Sequence, residues 1–509
     1  MSRTSGSLER LQAPSAQAWR TLALILLASM LLSVLMMTRD HGWGDDFAAY
    51  LMQAQSIFRG DMQAYVANNT FTMEESSHVF GPITEPWGYP LMLSPVYALL
   101  GLRVQALKFV AVACYAALLG IFFFFLRTRL SERESLLLTA VLAFNVGMLG
   151  GTDEILSDIP FALWSTLSLW LMTMPTSRSE PGRNLKHAAL VGVAMFAAAF
   201  TRIAGFLIFV PAVAAQISYL RGRFPQGVRL WNKIRPAAVT FAVFGTLYGL
   251  QMMIFPSVGH AAPFGTITWN SIGANLIGYF WAPAYFLRNI IFGAQALHLV
   301  LLPFLAISVA RRRKRDLPVH LYILATLAIL IVRQGFAEPR YLFPLWPLFL
   351  LFTYDGMKLA ANRLGGAWKS RGLALLWNGM LVFAVISAAA CLQVSWLNLR
   401  ARRYDYRESR GAFHPTTNLM FEFVREKTAP DSVIIFFKPR AMRLRTGRDS
   451  FFTTQCEDLP KGDYVAIEKS MGGYDQILPQ EVRHCNPSVV LTPAYEKDQF
   501  VVYQVGSAQ

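Results

Sequence analysis

Charge is scarce in this chain, and that scarcity excludes the commonest answer first. Only 15% of the 509 residues are Asp, Glu, Lys or Arg, against roughly 25% in soluble domains, so a string of soluble domains is the wrong class. Cysteine is scarcer still, with four residues. They form no clustered Cys/His zinc site. Cys114 and Cys391 fall in apolar stretches as packing residues. Cys456 and Cys485 lie in the polar tail, where a disulfide is open if the compartment is oxidising. No P-loop, dinucleotide-binding glycine fingerprint or HExxH occurs, so nothing points to direct use of nucleotide energy.

Long apolar blocks are what the chain has. Hydrophobic residues make up 54% of it, with 37 Phe. Blocks near 21–37, 104–126, 135–150, 158–174, 186–200, 203–219, 236–255, 294–310, 318–334, 341–357 and 373–394 predict about eleven membrane-spanning helices. The first apolar run, Leu22–Met37, follows Arg3, Arg10 and Arg20 and leaves through Thr38-Arg39-Asp40-His41. With no small-residue cleavage site there, it reads as a retained first helix. The net charge of +16 raises nucleic acid as a partner, but the basic residues sit in short loops between apolar blocks. With a cytoplasmic N-terminus, segments 1–20, 127–134, 175–185, 220–235, 311–317 and 358–372 are inner and hold 22 Lys and Arg, against 6 in the outer connections. That asymmetry is the positive-inside rule, not a nucleic-acid groove, and it sends the C-terminus out.

The expected organisation is a cytoplasmic segment 1–20, a membrane domain 21–395 and an outer α/β domain 396–509. Outer loops 38–103 and 256–293 are too long for turns. The first contains Leu91–Leu100, too short to span and expected to be interfacial or re-entrant. The second carries Trp269, Tyr279, Trp281 and Tyr285 as an aromatic belt. In the tail, Asn418–Lys427 reads as helix, and Ser432–Phe437, Tyr464–Glu468, Ser488–Leu491 and Phe500–Val505 read as strands.

The expected outer face collects the chemistry. Adjacent carboxylates Asp45 and Asp46 repel each other near an interface, and desolvation lifts at least one toward the range of a base, although two solvated loop acids are the plain reading. Asp153, Glu154 and Asp158 fall within six residues. Helix capping explains one of them, and Asp158 sits at the mouth of an apolar helix. Arg202 and Arg340 place cations at interface depth, which suits an anionic headgroup or phosphate, although snorkelling is the plain alternative. His78, Glu85 and His260 are scattered candidates for a divalent metal, and no other cofactor is indicated.

Four ordered segments resemble the GT-C superfamily of membrane glycosyltransferases, in its protein-mannosyltransferase and aminoarabinose-transferase-like branch. Gly44-Asp45-Asp46-Phe47-Ala48-Ala49-Tyr50 is similar to the family's first-loop acidic motif. Glu85-Pro86-Trp87-Gly88-Tyr89-Pro90-Leu91 resembles its Pro-rich segment, Thr201-Arg202 the threonine-arginine that opens a later helix, and Arg340-Tyr341-Leu342-Phe343-Pro344 its closing signature. The chain has Asp-Asp where the family commonly has Asp-Glu, and it lacks the Glu-Lys-Pro-Pro of aminoarabinose transferases. Lys438-Pro439-Arg440 in the tail, followed by Thr446-Gly447-Arg448, resembles outer domains of bacterial relatives, and the expectation is that it helps close the site.

The resemblance implies an all-α polytopic fold in a bacterial cytoplasmic membrane, with its site and C-terminal domain facing the periplasm. It implies transfer of a sugar from a polyprenyl-phosphate donor to a lipid, glycan or protein acceptor, usually with inversion. Asp45 or Asp46 is then the base, Asp153 and Asp158 catalytic partners, and Glu85, Tyr89, Glu154, Arg202, Arg340, Tyr341, Lys438 and Arg440 substrate-binding residues. The rival is a transporter or flippase of a lipid-linked or anionic substrate. It calls for repeats and charges near the bilayer midplane, whereas the acids here cluster in loops.

Overall fold

The computed structural model describes residues 13–507 except 79–80, 175–183, 222–228, 259–266, 289–292, 334, 336, 405–410, 472 and 474. Among these, seven helices are long and apolar enough to cross a membrane: Ala16–Met36, Val104–Arg127, Asn184–Thr201, Ile203–Leu220, Leu230–Ile254, Ala294–Arg312 and Gly366–Arg400. Glu132–Ala143 and Val146–Asp153, bent by 54°, form an eighth if the pair is one span. Among the described residues seven or eight spans meet that length and composition, so the expected count of about eleven is not reached by this measure. Three expected spans are helical but fall short. Asp158–Thr173 and Leu317–Val332 have 16 residues each, and Trp346–Arg363 carries Asp355, Lys358 and Arg363 on its 18.

Local chemistry sets the helix boundaries. Ser15 opens the first helix by accepting a hydrogen bond from the Ala18 amide (3.1 Å). Ser131 and Glu134 form a reciprocal capping box on Glu132–Ala143. Asp46–Arg59 stops at Gly60, whose φ of 75° a side chain would resist. The segment Leu91–Leu100 lies in a 13-residue helix, Gly88–Leu100, too short to span.

The helices run between two distinct ends. At one end ion pairs tie them together: the buried Arg129 to Asp316 at 2.7 Å, and the partly buried Arg312 to Asp355 and Lys358 to Glu134. The other end carries the loops after the first helix and, above them, the C-terminal unit. Helix Gly366–Tyr404 leads toward that unit, its 39 residues amounting to about 60 Å of helix.

Five strands build the unit: β1 (Val433–Ile435), β2 (Asp449–Phe451), β3 (Tyr464–Glu468), β4 (Val489–Lys497) and β5 (Phe500–Ser507), ordered β2-β1-β3-β5-β4. β1 runs parallel to β2 and β3, while β5 is antiparallel to β3 and β4. Alternation along β1 sends Ile434 and Phe436 to one apolar cluster with Phe421, and Ile435 to the other with Phe451 and Val465. β2 was not among the expected strands.

The unit is seated on the membrane part by backbone as well as side chains. The amide of Ala412 donates to His41 O (3.1 Å), and that of Phe413 donates to Asp40 Oδ1 (2.8 Å). Trp43 inserts among Phe436, Phe437 and Phe500, its ring centroid 4.9 Å from that of Phe437. Cys456 is disulfide-bonded and Cys114 and Cys391 are free and buried; the side chain of Cys485 lies outside the described residues.

Candidate active site

Helix termini converge beneath the C-terminal unit. Asp46 and Asp158 each open a helix, Asp46–Arg59 and Asp158–Thr173, where the helix dipole favours a carboxylate. Arg202 and Arg333 each follow the last residue of a helix, Asn184–Thr201 and Leu317–Val332, where it favours a cation. Arg340 comes from the turn Pro339–Leu342. The close approach depends on Gly88: a Cβ there would stand 2.6 Å from the Phe200 carbonyl oxygen, so only glycine lets helix Gly88–Leu100 lie against the end of Asn184–Thr201.

Asp158 is the hub of the charge cluster. Arg202 Nη1 donates to its Oδ1 at 2.9 Å, and Arg340 Nη1 lies 3.8 Å from its Oδ2. Arg340 also reaches Asp46 Oδ2 at 3.4 Å and pairs with Glu338. Arg202 donates to Ser157 Oγ (3.1 Å), which shares a 2.8 Å hydrogen bond with Tyr50 Oη. The Tyr341 ring gathers three guanidinium groups, with Cζ of Arg333, Arg340 and Arg202 at 4.2, 5.0 and 5.5 Å from its centroid.

Beside this cluster lies a cavity of about 560 Å³ between the first loop and the C-terminal unit. Asp45, Asp46, His78, Glu154 and Arg340 line it from below, and Phe437, Lys438 and Asp475 from the unit. The two adjacent acids differ sharply. The Asp46 side chain is 33% exposed and faces Arg340, whereas that of Asp45 is 8% exposed. Both oxygens of Asp45 are buried and no side chain donates a hydrogen bond to them among the described residues, while the backbone amide of Arg440 favours the charged form. Burial pushes its carboxyl up to about 6, against the pull of Arg440 and Lys438. Glu85 is lifted further, to about 7, by burial and then by the charge of Asp46, with Arg440, Arg202 and Arg340 opposing. Its backbone is fixed by a reciprocal pair with Gln53, whose Nε2 donates to Glu85 O (2.9 Å) and whose Oε1 accepts from its amide (3.1 Å).

Of the residues singled out in the sequence, the structure brings Asp45, Asp46, Asp158, Arg202, Arg340, Tyr341 and Glu85 into one region. Asp153 is otherwise engaged: Lys108 Nζ lies 2.7 Å from its Oδ1, and Thr38 donates to it through both amide and hydroxyl, at 2.8 Å each. Glu154 pairs with His41 at 3.0 Å on the cavity wall. Tyr89 is fully buried against Tyr50, ring centroids 5.2 Å apart. His78 stacks edge-on to Phe452, and His260 lies outside the described residues. Among the described residues no three His, Cys, Asp or Glu side chains gather as a metal-ion cage. Arg333 and Lys108 went unnoticed in the sequence. Both sit inside apolar runs, where a lone cation is itself a signal.

The model of the Alg9-like mannosyltransferase family matches residues 84–421, about two-thirds of the chain. The chain belongs to that family. No curated protein matches this family member in sequence. Two solved folds resemble it closely in architecture. ArnT from Cupriavidus metallidurans bound to undecaprenyl phosphate is 13% identical with a TM-score of 0.60, over 96% of this chain and 98% of that one. The archaeal oligosaccharyltransferase AglB from Archaeoglobus fulgidus, in complex with an inhibitory peptide and a dolichol-phosphate, is 11% identical with a TM-score of 0.55, over 97% and 75%. The fold is thus GT-C, as the ordered motifs implied, and this Alg9-like chain is a multi-pass membrane glycosyltransferase.

Proposed function

We propose that the chain transfers a sugar from a polyprenyl-phosphate donor to an acceptor hydroxyl, with inversion, and that Asp45 is the general base. The observation that carries this reading is a buried carboxylate, with no side-chain hydrogen-bond donor among the described residues, on the wall of a cavity whose neighbouring corner holds three arginines. Asp45 takes the acceptor hydroxyl proton as the new C–O bond forms. The bond between the anomeric carbon and the phosphate oxygen breaks, and its electron pair leaves with the polyprenyl phosphate. The developing charge on the sugar ring resembles that of glycoside hydrolysis. The leaving phosphate is anionic, so it calls for cations more than for an acid.

Arg202, Arg333 and Arg340 supply those cations, and Asp158 orients two of them. Glu85 and Lys438 face the sugar or acceptor. Asp46, held by Arg340, is the less suited of the paired acids because its charge already has a partner. Titration near 6 leaves Asp45 ionised at neutral pH yet basic enough to take a proton. The excess of Lys and Arg in the segments at the opposite end supports an outward-facing site in a bacterial cytoplasmic membrane. The membrane region 21–395 then carries the reaction and 396–509 forms its outer cover. The acceptor is a lipid, a glycan or a protein of the envelope.

The test uses purified protein in detergent with radiolabelled polyprenyl-phosphate sugars and cell-envelope extract. Asp45→Asn is expected to fold and to lose transfer by about 10²- to 10⁴-fold, the usual weight of a general base. A wild-type protein that moves lipid-linked sugar between vesicle leaflets yet never transfers it would overturn the proposal.

A further inference from the structure

We propose that Arg440, carried by the C-terminal unit, is a positioning residue that aims the Asp45 carboxylate, so the site is assembled only when that unit is docked. The inference rests on the reading of Asp45 as base.

Arg440 lies on the short helix Pro439–Thr446 and is fully buried, among the largest such side chains in the chain. Its Nε donates to Asn69 Oδ1 at 3.1 Å, its Nη2 donates to the Pro82 carbonyl and touches Met73 Sδ at 3.4 Å, and its Nε stands 3.8 Å from Asp45 Oδ2. One guanidinium thereby joins the helix Met62–Glu75, the segment that leads to Glu85, and the start of helix Asp46–Arg59. Gly81 leaves the room for it, since a Cβ there would sit 3.2 Å from Nη1. Burying a cation is costly, and docking alone does not need one. The same helix already offers Ala441 and Leu444 to the apolar cluster around Phe47 and Tyr89.

The geometry of the contact suits a base. At 3.8 Å the Arg440 guanidinium attracts the carboxylate without donating a side-chain hydrogen bond to it, and Asp45 stays on the wall of the cavity from which an acceptor hydroxyl would approach. Lys438 also faces Asp45 from the unit, while Asp46 on its own helix opposes them. Tyr65 from the next helix feels the same carboxylate. His41, His78, Glu154, Arg340 and Asp475 stand on the surrounding cavity walls.

Arg440→Gln and Arg440→Lys in the full chain test the idea. The Asp45 carboxyl is followed by isotope-edited infrared titration, its band identified by loss in Asp45→Asn, alongside the pH profile of transfer. Wild type is expected to titrate near 6. Arg440→Gln should move the titration and the acid limb of the rate upward by about 1–3 units, the usual effect of an opposite charge at this range, and Arg440→Lys should restore most of it. A titration unchanged in Arg440→Gln, or moved equally by Lys and Gln, overturns the proposal.

If Arg440→Gln does not fold, Asn69→Ala removes the acceptor of Nε and keeps the charge. It should lower kcat by about tenfold or more with KM held, the cost of a misaimed group, and an unchanged kcat overturns the proposal. The infrared reading needs no sugar transfer. An active Asp45→Asn therefore sinks the base assignment by a separate measurement, while an Arg440-dependent titration still upholds the hold on Asp45.

Discussion

Replacing Asp45 by Asn keeps the shape of the side chain and deletes its charge, so it mimics the protonated acid. Burial lifts the Asp45 carboxyl from 3.8 to about 6. The folded protein therefore holds this proton more tightly than the unfolded chain does. A group raised in this way contributes stability that is complete below about pH 4 and lost as pH rises through about 6. The loss is about two pKa units at roughly 1.4 kcal/mol each, or about 3 kcal/mol, fully felt at pH 8. The pull of Arg440 and Lys438 and the Arg440 amide are already contained in that value, and the desolvation of the carboxylate outweighs them. Asp45→Asn should then unfold later than wild type at pH 8, by up to about 3 kcal/mol, and the gap should shrink to about 1 kcal/mol at pH 4.5. Denaturant or thermal unfolding of both proteins in one detergent, scanned from pH 4.5 to 8, reads this directly. A variant that is less stable than wild type at pH 8, or offset by a constant amount at every pH, would refute the reasoning.

Two further outcomes are expected. Arg202→Lys keeps the charge but loses the planar fork that donates to Asp158 and faces the proposed phosphate, so KM for a short-chain polyprenyl-phosphate sugar should rise by about ten- to a hundredfold, the worth of one hydrogen bond to a charged group. An unchanged KM would remove Arg202 from the donor site. Lys108→Met strands Asp153 beside a fully buried position and should cost about 3–5 kcal/mol, whereas Lys108→Met with Asp153→Leu should recover most of that and keep transfer. A stable double variant without activity would show that Asp153 serves the reaction rather than the fold.

How far the sequence spoke for itself depended on whether a feature is local. The apolar blocks are local, and nearly every one became a helix where expected. Their number as spans was not local. Asp158–Thr173 and Leu317–Val332 have only 16 residues each, and their starts are fixed by charged partners distant in sequence, Arg202 on Asp158 and Arg129 on Asp316. β2 escaped notice because Asp449-Ser450-Phe451 is three residues long and becomes a strand only beside β1. Asp45, Asp46, Arg202 and Arg340 were legible because charge asymmetry in the loops assigns them all to one face. Arg333 was not, since it reads as the last turn of an apolar run until Tyr341 is seen stacked against it. The contact of Arg440 with Asp45 joins opposite ends of the chain, and no spacing rule reaches that far.

The arrangement also explains why this cluster tolerates so much charge before any ligand arrives. Acids at helix starts and cations at helix ends are each favoured by the local dipole, by about 0.3–1 kcal/mol apiece, so the backbone supplies part of what water would otherwise give. The far ends of two of these helices are tied together by Arg129, whose Nη2 donates to Thr173 Oγ1 at 2.9 Å and to Asp316 Oδ1 at 2.7 Å, which resists rotation of one against the other. The arginines of the proposed phosphate site are therefore set by rigid elements, and such preorganised charge is what stabilises a leaving anion most effectively. The cavity wall contributed by Phe437, Lys438 and Asp475 is different in kind. It belongs to a separate sheet, held to the helices by Trp43, by Arg440 and by a few backbone hydrogen bonds. Ala441 and Leu444 packing on the cluster around Phe47, Thr72 donating to the Ser450 carbonyl, and Lys461 pairing with Glu75 also join that seam, and Arg440 is the cation among its contacts that is aimed at Asp45.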